Sequence, residues 1–243
     1  MSTVRQNKIR EHYDSIADTY DNHYDGMNGK PYYEHISSFL LDALPRGGNL
    51  LDVGCGTGLF LRQYLADGTG TATGVDISRN MVELAYKRCS PCNLTVGTAD
   101  RLPFRDGSFD AVSSMLVFTY LKHPEGMLTE AYRVLRPGGS IGICTLGKKL
   151  VTRGIPALYH ISEKMKIKHV VMKNFGERYY DGREMQELFS EVGFDNITVR
   201  WCSFAHINIP GPLFRIARKM EPFVERRIPQ LAYNICVTAK KPE

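Results

Sequence analysis

The sequence lacks long apolar runs. No stretch of the 243 residues reaches the ~18 uncharged apolar residues that a membrane-spanning helix needs. The opening residues, MSTVRQNKIREHYD, lack the apolar segment of a secretory signal peptide, so the expected compartment is the cytoplasm. With 43% hydrophobic and 23% charged residues, the composition is that of a globular chain and excludes a mainly disordered protein.

Concentrated positive charge and a cysteine framework are also lacking. The 31 Lys and Arg exceed the 26 Asp and Glu by only five, and denser basic groups occur only at 164–173 and 215–227. Nucleic-acid-binding domains usually carry a basic stripe with stacking aromatic residues, so we expect no nucleic-acid partner. Cys89 and Cys92 form a CxxC, but no second pair completes four ligands. The sequence therefore favours two ordinary thiols over a redox pair or a metal site, and we expect no metal.

Apolar runs of strand length alternate with helical patterns, which predicts a parallel α/β sheet. The first ~45 residues read as two helices, Val4–Tyr24 and Pro31–Leu44. Two segments, 147–182 and 204–230, interrupt the alternation, and each follows the end of a predicted strand. Because open α/β sheets bind ligands beyond the carboxyl ends of their strands, we expect both segments to overhang a binding crevice. The seven strands are predicted at 49–53, 71–76, 94–96, 109–113, 140–146, 196–203 and 233–240.

The most informative segment is LLDVGCGTG at 50–58, which joins a predicted strand to a predicted helix through three alternate glycines. Glycine is needed where a backbone turns sharply or where a ligand lies against the main chain. A dinucleotide site has the spacing G-x-G-x-x-G, with pyrophosphate at the start of the helix. Here Leu59 stands in place of the third glycine, which disfavours a nicotinamide-dependent oxidoreductase. Asp52 would repel phosphates and attract a cationic ligand group.

Two further acidic residues follow the next predicted strands. Asp76 stands about 20 residues past the glycine loop, where an acidic side chain can accept hydrogen bonds from ribose hydroxyls, and Ile77 suits one face of adenine. Asp100 could accept a hydrogen bond from the adenine amine, or it could instead cap the turn that follows it. The acids and glycines together describe an adenosine that carries an amino acid and no phosphates.

These segments resemble the successive motifs of a known family. LLDVGCGTG, GVDIS, TADRLPF, FDAVSSMLVFTYL and RVLRPGG are similar to the motifs of class I S-adenosylmethionine-dependent methyltransferases, in order, over about residues 48–146. The segment from His12 to Asp21 resembles the YDxxAxxYD opening of quinone-type and other small-molecule methyltransferases. The resemblance implies a doubly wound, mostly parallel, Rossmann-like sheet of seven strands. The last strand would be antiparallel, with helices on both faces and an N-terminal helical lid.

The resemblance also implies a site for S-adenosylmethionine, with S-adenosylhomocysteine as the product. The glycine loop would hold the methionine moiety, Asp76 the ribose, and Asp100 with Arg101 the adenine. Met115 would lie along the cofactor, and Tyr20, with Tyr13 as a further candidate, would lie over it as a lid. Both tyrosines could instead belong to a buried helix stripe, and residues 116–118 read as core. The predicted cofactor-binding residues are Tyr20, Asp52, Gly54, Gly56, Gly58, Asp76, Ile77, Asp100, Arg101 and Met115.

We expect one domain over residues 1–243. It would consist of a lid at 1–46, a cofactor-binding core at 47–146, the insertions at 147–182 and 204–230, and a final strand and tail at 231–243. Both insertions carry apolar residues at helical spacing among lysines and arginines, and their position predicts a cover over a small apolar or amphipathic acceptor. A helix packed on the sheet, a peripheral membrane contact through 205–230 and a homodimer face remain open alternatives.

The sequence thus predicts a methyltransferase that acts on a quinone, isoprenoid or aromatic-like acceptor. Because the sulfonium donor is already activated, alignment of the acceptor could supply much of the acceleration. A general base is needed only where the acceptor loses a proton. His123 is a candidate for that base, or it could instead be an ordinary loop histidine. The alternatives are methylation of a polar small molecule or a macromolecule, and a non-catalytic adenosylmethionine-binding or membrane-associated protein.

Overall fold

The computed structural model describes residues 2–66, 69–148 and 176–243. The strands are β1 (Asn49–Val53), β2 (Thr71–Asp76), β3 (Cys92–Val96), β4 (Phe109–Met115), β5 (Leu135–Leu146), β6 (Asp195–Cys202) and β7 (Asn234–Lys240). The helices are α1 (Ser2–Tyr20), α2 (Asn22–Asp25), α3 (Gly29–Ala43), α4 (Leu59–Ala66), α5 (Arg79–Arg88), α6 (Pro124–Val134), α7 (Gly182–Val192) and α8 (Gly211–Arg227). Short 3-10 turns lie at Phe118–Tyr120 and Pro229–Leu231.

The strands form one sheet in the order β3-β2-β1-β4-β5-β7-β6. The first five strands are parallel to one another, whereas β7 is antiparallel to both β5 and β6. The chain builds the sheet outward from β1 to β3 and then returns to the other side of β1 with β4. A crevice opens at this reversal, beyond the carboxyl ends of β1 and β4, which is where open α/β sheets bind ligands.

The core lies in two layers, one on each face of the sheet. Side chains alternate between faces along each strand, so that Ile141 and Ile143 of β5 pack in one layer and Cys144 in the other. The layer that contains Cys144 joins the sheet to α2, α3, α4 and α8, and the opposite layer joins it to α6 and α7. The predicted doubly wound sheet with helices on both faces is therefore confirmed.

The elements around the glycine loop have the bounds that the sequence predicts. The sequence also predicts helices at 59–66 and 79–88, and β1, α4, β2 and α5 begin and end at the predicted residues. The strands are short buried apolar runs, and the start of α5 carries its own signal, because the Ser78 hydroxyl accepts a hydrogen bond from the backbone N of Met81 at 3.1 Å. Local signals at these positions agree with the tertiary packing.

Two boundaries differ most from prediction, and the others differ by one or two residues. The first predicted helix, Val4–Tyr24, is divided, because α1 ends at Tyr20 and α2 begins at Asn22. β5 begins at Leu135 rather than at Ser140. Leu135 already pairs with Phe109, the next pair along the ladder joins Ser140 to Ala111, and residues 136–139 form an irregularity between these pairs. The Pro-Gly-Gly sequence there reads as a turn, whereas in the structure it continues the strand.

The cysteines divide into one bonded pair and four free thiols. Cys89 and Cys92 are joined in a disulfide, so the expectation of two ordinary thiols is wrong. The four free thiols are all buried, and the Sγ atoms of Cys202 and Cys236 lie 3.2 Å apart on neighbouring strands. The free, buried cysteines are Cys55, Cys144, Cys202 and Cys236.

Most of the first predicted insertion, 147–182, lies outside the described residues. Its two ends meet where the backbone N of Lys148 donates to the carbonyl of Tyr180 at 2.7 Å. The second insertion, 204–230, is a loop followed by α8, which buries Phe214, Ala217 and Val224. Within the described ranges, no helix has the length and apolar character needed to cross a membrane.

Candidate active site

A cavity opens beyond the carboxyl ends of β1 and β4, and α1 lies across it. The loop after β1, the ends of β2 and β3, and the turn after β4 form its walls. The lining residues are Arg5, Gln6, Ile9, Tyr13 and Tyr20 at the N-terminus; Val53, Gly54 and Gly56 after β1; Val75, Asp76, Ile77, Met81, Gly97, Thr98, Ala99 and Asp100 after β2 and β3; and Met115, Leu116, Val117, Tyr120, Leu121, Lys122, His123 and Met127 after β4.

The loop between β1 and α4 turns through three glycines with positive φ. At Gly54, with φ of 77°, a Cβ would lie 2.2 Å from Cγ2 of Val117, so no other residue fits. At Gly56, with φ of 50°, a Cβ would project toward the ring of Tyr20, whose Cε1 would lie 3.9 Å away. Gly58 packs against α5 and does not line the cavity. A ligand can therefore lie directly against the main chain at Gly54 and Gly56.

The carboxylate of Asp76 is held against the glycine loop. Its Oδ2 accepts a hydrogen bond from the backbone N of Gly56, and its Oδ1 accepts one from the backbone N of Ser78, both at 2.8 Å. Burial raises the pKa of Asp76. The two N–H groups favour the charged form and partly offset this rise. A carboxylate has about four lone-pair positions, so Asp76 can accept further hydrogen bonds from hydroxyl donors in the cavity.

Asp52, at the end of β1, lies behind the cavity wall. It is only 1% exposed, and its Oδ1 accepts a hydrogen bond from Oγ of Ser113 at 2.7 Å. Burial raises the pKa of Asp52 to about 7, and the nearby charge of Asp76 adds to this rise. The lining includes the neighbouring Val53 and Gly54 but not Asp52. This carboxyl can act on a bound cation through its charge rather than by contact.

Asp100, Ile77 and Met115 line the cavity, but Arg101 is exposed and does not. Oδ2 of Asp100 accepts a hydrogen bond from Nε2 of Gln6 at 3.1 Å. In the turn that Asp100 could have capped, the backbone N of Leu102 donates instead to Oε2 of Glu130, at 2.7 Å. The carboxylate of Asp100 therefore faces α1 and the cavity.

Polar contacts also tie α1 to the two loops that flank the cavity. Oδ1 of Asp14 accepts a hydrogen bond from Oγ of Ser78 at 2.6 Å, next to Asp76. Asp21, directly after α1, accepts one from Oγ1 of Thr57 and pairs with the guanidinium of Arg88. With the contact from Gln6 to Asp100, these bonds fix α1 at its start, middle and end.

Tyrosine rings fill the space beneath α1. The ring centroid of Tyr13 lies 6.1 Å from that of Tyr20 and 6.0 Å from that of Tyr120. The ring centroids of Tyr24 and Tyr20 are 5.5 Å apart, and all three pairs are edge to face. Burial raises the pKa of Tyr13 and Tyr20 well above 10 and that of Tyr24 to about 12. These side chains therefore present apolar rings with neutral hydroxyls near neutral pH.

His123 lines the cavity where α6 begins. Its side chain is 61% exposed, and its Nδ1 lies 3.1 Å from Oε1 of Glu125, which is also exposed. The geometry places the imidazole at the cavity edge in contact with solvent. Its role as a general base stays a prediction.

The structure brings together most, but not all, of the residues that the sequence analysis singled out. Leu116 and Val117, expected in the core, line the cavity, while Phe118 is buried as expected. Gln6 and Ile9 were missed, although they share one face of α1 with Tyr13 and Tyr20, and that helical spacing could have found them. Of the predicted cofactor-binding residues, the cavity is lined by Tyr20, Gly54, Gly56, Asp76, Ile77, Asp100 and Met115, and not by Asp52, Gly58 or Arg101.

Comparison with known proteins finds methyltransferases. A family model for a methyltransferase domain matches residues 51–143. The demethylmenaquinone methyltransferase of Tropheryma whipplei is 28% identical over 232 residues, which cover 84% of this chain and 92% of that protein. The malonyl-[acyl-carrier protein] O-methyltransferase of Serratia marcescens is 36% identical over 100 residues, or 41% of this chain and 39% of that protein. These matches support a class I S-adenosylmethionine-dependent methyltransferase.

The methyltransferase also shares its fold with solved structures. The crystal structure of an S-adenosylmethionine-dependent methyltransferase from Thermotoga maritima, described as a possible histamine N-methyltransferase, matches with a TM-score of 0.69 at 24% identity. The match covers 94% of this chain and 98% of that one. At this identity the likeness concerns the fold.

S-adenosylmethionine is the cofactor of the methyltransferase, and the cavity chemistry fits it. The carboxylates of Asp76 and Asp100 suit hydroxyl and amine donors, and Gly54 and Gly56 leave the main chain bare. The glycine loop itself contains no Lys or Arg that would balance a pyrophosphate. When bound, the cofactor supplies an electrophilic methyl group on a positively charged sulfur.

Proposed function

We propose that the methyltransferase moves a methyl group to a small apolar or amphipathic acceptor, such as a quinone, isoprenoid or aromatic compound. The observation that carries this proposal is the wall of the cavity between α1 and the turn after β4. Most of that wall is aromatic or aliphatic, while Arg5, Gln6, Lys122 and His123 add polar groups to it. The apolar part consists of Ile9, Tyr13, Tyr20, Leu116, Val117 and Tyr120.

The relatives support a quinone-like acceptor within this class. The Tropheryma protein, named for demethylmenaquinone, resembles this chain over most of both lengths. The Serratia protein, named for a carrier-protein substrate, matches less than half of either chain. Similarity in the cofactor-binding core therefore does not identify the acceptor. The side chains around Tyr13, Tyr20 and Tyr120 are better evidence for it.

We assign the cofactor to the half of the cavity that the glycine loop borders. Gly54 and Gly56 would lie against the methionine moiety, because both line the cavity and leave the main chain bare there. Asp76 would accept hydrogen bonds from the ribose hydroxyls, for which it has spare lone pairs. Ile77 and Asp100 would flank the adenine, since both line the cavity at the ends of β2 and β3.

The remaining predicted residues would act in other ways. Met115 and Tyr20 would close the cavity around the cofactor, from the end of β4 and from α1. Asp52 would stabilise the cationic cofactor at a distance, and Gly58 would shape the loop. The adenine role of Arg101 rests on the family resemblance alone, because Arg101 makes no contribution to the cavity lining.

The arrangement favours catalysis by alignment. Well-oriented intramolecular reactions gain up to ~7–11 kcal/mol from proximity and orientation, and a rigid cavity can supply this to the acceptor. The raised pKa values of Tyr13 and Tyr20 keep their hydroxyls protonated near neutral pH, so these residues donate hydrogen bonds rather than remove protons. His123, beside Glu125, is the proposed base where the acceptor must lose a proton.

The proposal is tested by methyl transfer from radiolabelled S-adenosylmethionine into a cell extract, which is divided into organic and aqueous phases before counting. We expect label in the organic phase with the wild-type protein and none with Asp76→Ala, which removes the proposed ribose acceptor. A panel of quinones with side chains of different length then ranks the acceptors by kcat/KM. Label only in aqueous metabolites or in macromolecules would reject the apolar acceptor and leave the methyltransferase assignment intact.

A further inference from the structure

Helix α8 exposes a stripe of large apolar side chains, which we call the outer stripe. Its members recur every three or four residues, so they lie on one side of the helix. Among the described residues, ten large hydrophobic side chains are exposed, and half of them lie between residues 213 and 228. The outer stripe consists of Leu213, Ile216, Met220 and Phe223, which are 57%, 57%, 45% and 58% exposed.

The neighbouring side of α8 fixes the helix to the protein without help from the outer stripe. It buries Phe214, Ala217 and Val224. Both acidic residues of the helix also face inward: Glu221 is 2% exposed, and Oε1 of Glu225 lies 2.7 Å from Nε2 of His35 on α3. The outer stripe is therefore available to another surface while α8 stays packed.

Positive charge flanks the outer stripe. Arg215, Lys219, Arg226 and Arg227 are exposed, and none of them makes a salt bridge with another described residue. Because both acids of the helix are turned inward, the outward surface of α8 is apolar and basic. An interfacial helix that lies on a membrane has this combination of faces.

We propose that α8 docks the methyltransferase on the surface of an anionic lipid bilayer. The outer stripe would lie among the acyl chains, and the four flanking basic residues would lie at the headgroups. Charge complementarity selects this occupant, because each basic residue near an anionic membrane strengthens binding about fivefold. Four half-exposed side chains are also a small part of the ~800 Å² per partner that a stable protein dimer buries.

This inference goes beyond the proposed reaction and does not depend on it. No residue of α8 lines the cavity, so the docking surface and the active site use different side chains. Vesicles that contain no methyl acceptor therefore test the docking alone. A negative result for docking would leave the proposed acceptor unaffected, because the radiolabel experiment tests the acceptor separately.

The test is co-sedimentation with vesicles of phosphatidylcholine alone and of phosphatidylcholine mixed with phosphatidylglycerol. We expect the wild-type protein to bind the mixed vesicles at least about tenfold more tightly than the neutral ones, and to lose this preference as salt rises. We expect Ile216→Glu with Phe223→Glu, and separately Arg215→Glu with Lys219→Glu, to weaken binding about tenfold or more.

Matched controls change the same chemistry elsewhere on the surface. Tyr86→Glu removes an exposed aromatic side chain on α5, and Arg62→Glu reverses an exposed charge on α4; both should bind vesicles like the wild type. Cofactor binding and thermal midpoints confirm that all variants are folded. Equal binding of wild type and α8 variants, or no binding of the wild type, would overturn the proposal. So would a wild-type dimer that Ile216→Glu dissociates and that does not bind vesicles, because a second copy would then cover the stripe.

Discussion

Asp21 accepts a hydrogen bond from the hydroxyl of Thr57, with 2.5 Å between the two oxygens. Asp21 directly follows α1, and Thr57 lies within the glycine loop. The other carboxylate oxygen of Asp21 pairs with Arg88 at the end of α5. One buried side chain therefore joins the helix above the cavity to the loop below it, and the position of the adjacent Tyr20 depends on the loop conformation.

The first prediction concerns the contacts of Asp21 with Thr57 and Arg88. Asp21→Asn removes the charge that pairs with Arg88 and weakens the bond to Thr57, so we expect the free energy of unfolding to fall by about 1–3 kcal/mol. Because the loop and lid lose their common anchor, S-adenosylhomocysteine should bind about tenfold more weakly by calorimetry. Asp25→Asn, an exposed acid in α2, is the control and should change neither quantity. Unchanged affinity with reduced stability would show that Asp21 acts on the fold alone.

The second prediction concerns Asp76. Asp76→Ala leaves the backbone N–H groups of Gly56 and Ser78 without their acceptor and removes the proposed ribose contacts. Hydrogen bonds to a charged group contribute about 1.5–3 kcal/mol each, so we expect cofactor affinity to fall about 100-fold. Calorimetry with S-adenosylhomocysteine measures this, with Asp195→Ala on the surface of β6 as the control. A change of less than about threefold would remove Asp76 from the binding site.

The third prediction concerns pH and Asp52. Because burial raises the folded-state pKa of Asp52 from 3.8 to about 7, its contribution to stability is fully present below about pH 4 and is lost as pH rises through about 7. The shift corresponds to about 4 kcal/mol at most. In urea unfolding, Asp52→Asn should therefore reduce the loss of stability between about pH 5 and pH 8 by about 2–3 kcal/mol. An identical pH slope in the variant would contradict the raised pKa.

The same carboxyl should couple cofactor binding to protons. A cationic cofactor favours the charged form of Asp52, so the wild type should release protons on binding near neutral pH. Calorimetry in buffers with different ionisation enthalpies detects this release. Asp52→Asn should release fewer protons, and equal release by both proteins would show that the cofactor's charge does not act on Asp52.

The fourth prediction tests the tyrosine wall. Tyr120→Phe keeps the ring and should leave kcat/KM within about threefold, whereas Tyr120→Ala opens a hole and should raise the acceptor KM about tenfold or more. Burial raises the pKa of Tyr120, so the rate should show no tyrosine-dependent change below pH 10. A large loss of kcat/KM in Tyr120→Phe would indicate that the hydroxyl takes part in proton transfer. A change in rate with pH near the ordinary phenol pKa would indicate the same.

The sequence predicts the sheet well because its signals are local. β1 and β2 are short buried runs with an acid at the last or the next-to-last residue, and Ser78 marks the start of α5 within the chain itself. The irregular segment Arg136–Gly139 could not be read in this way, because Pro-Gly-Gly suits a turn as well as a bulge. Only the pairing of Leu135 with Phe109 shows that the strand has already begun.

The site is only partly predictable for a different reason. Gly54, Asp76 and Asp100 stand in motifs, but the contact of Gln6 with Asp100 joins residues 94 positions apart, and no local pattern specifies it. Likewise, a carboxyl at the end of β1 can face a cavity or lie behind its wall. Asp52 lies behind the wall because its side chain points to Ser113 on the neighbouring strand.

The contacts of α1 also bear on the pace of the reaction cycle. Gln6, Asp14 and Asp21 hold the helix through Asp100, Ser78 and Thr57, which belong to the same loops that are assigned to the cofactor. A spent cofactor that leaves past α1 would need these bonds to break, and its replacement would let them form again. We expect α1 to detach from these loops in each turnover. Product exchange rather than methyl transfer would then limit the maximal rate.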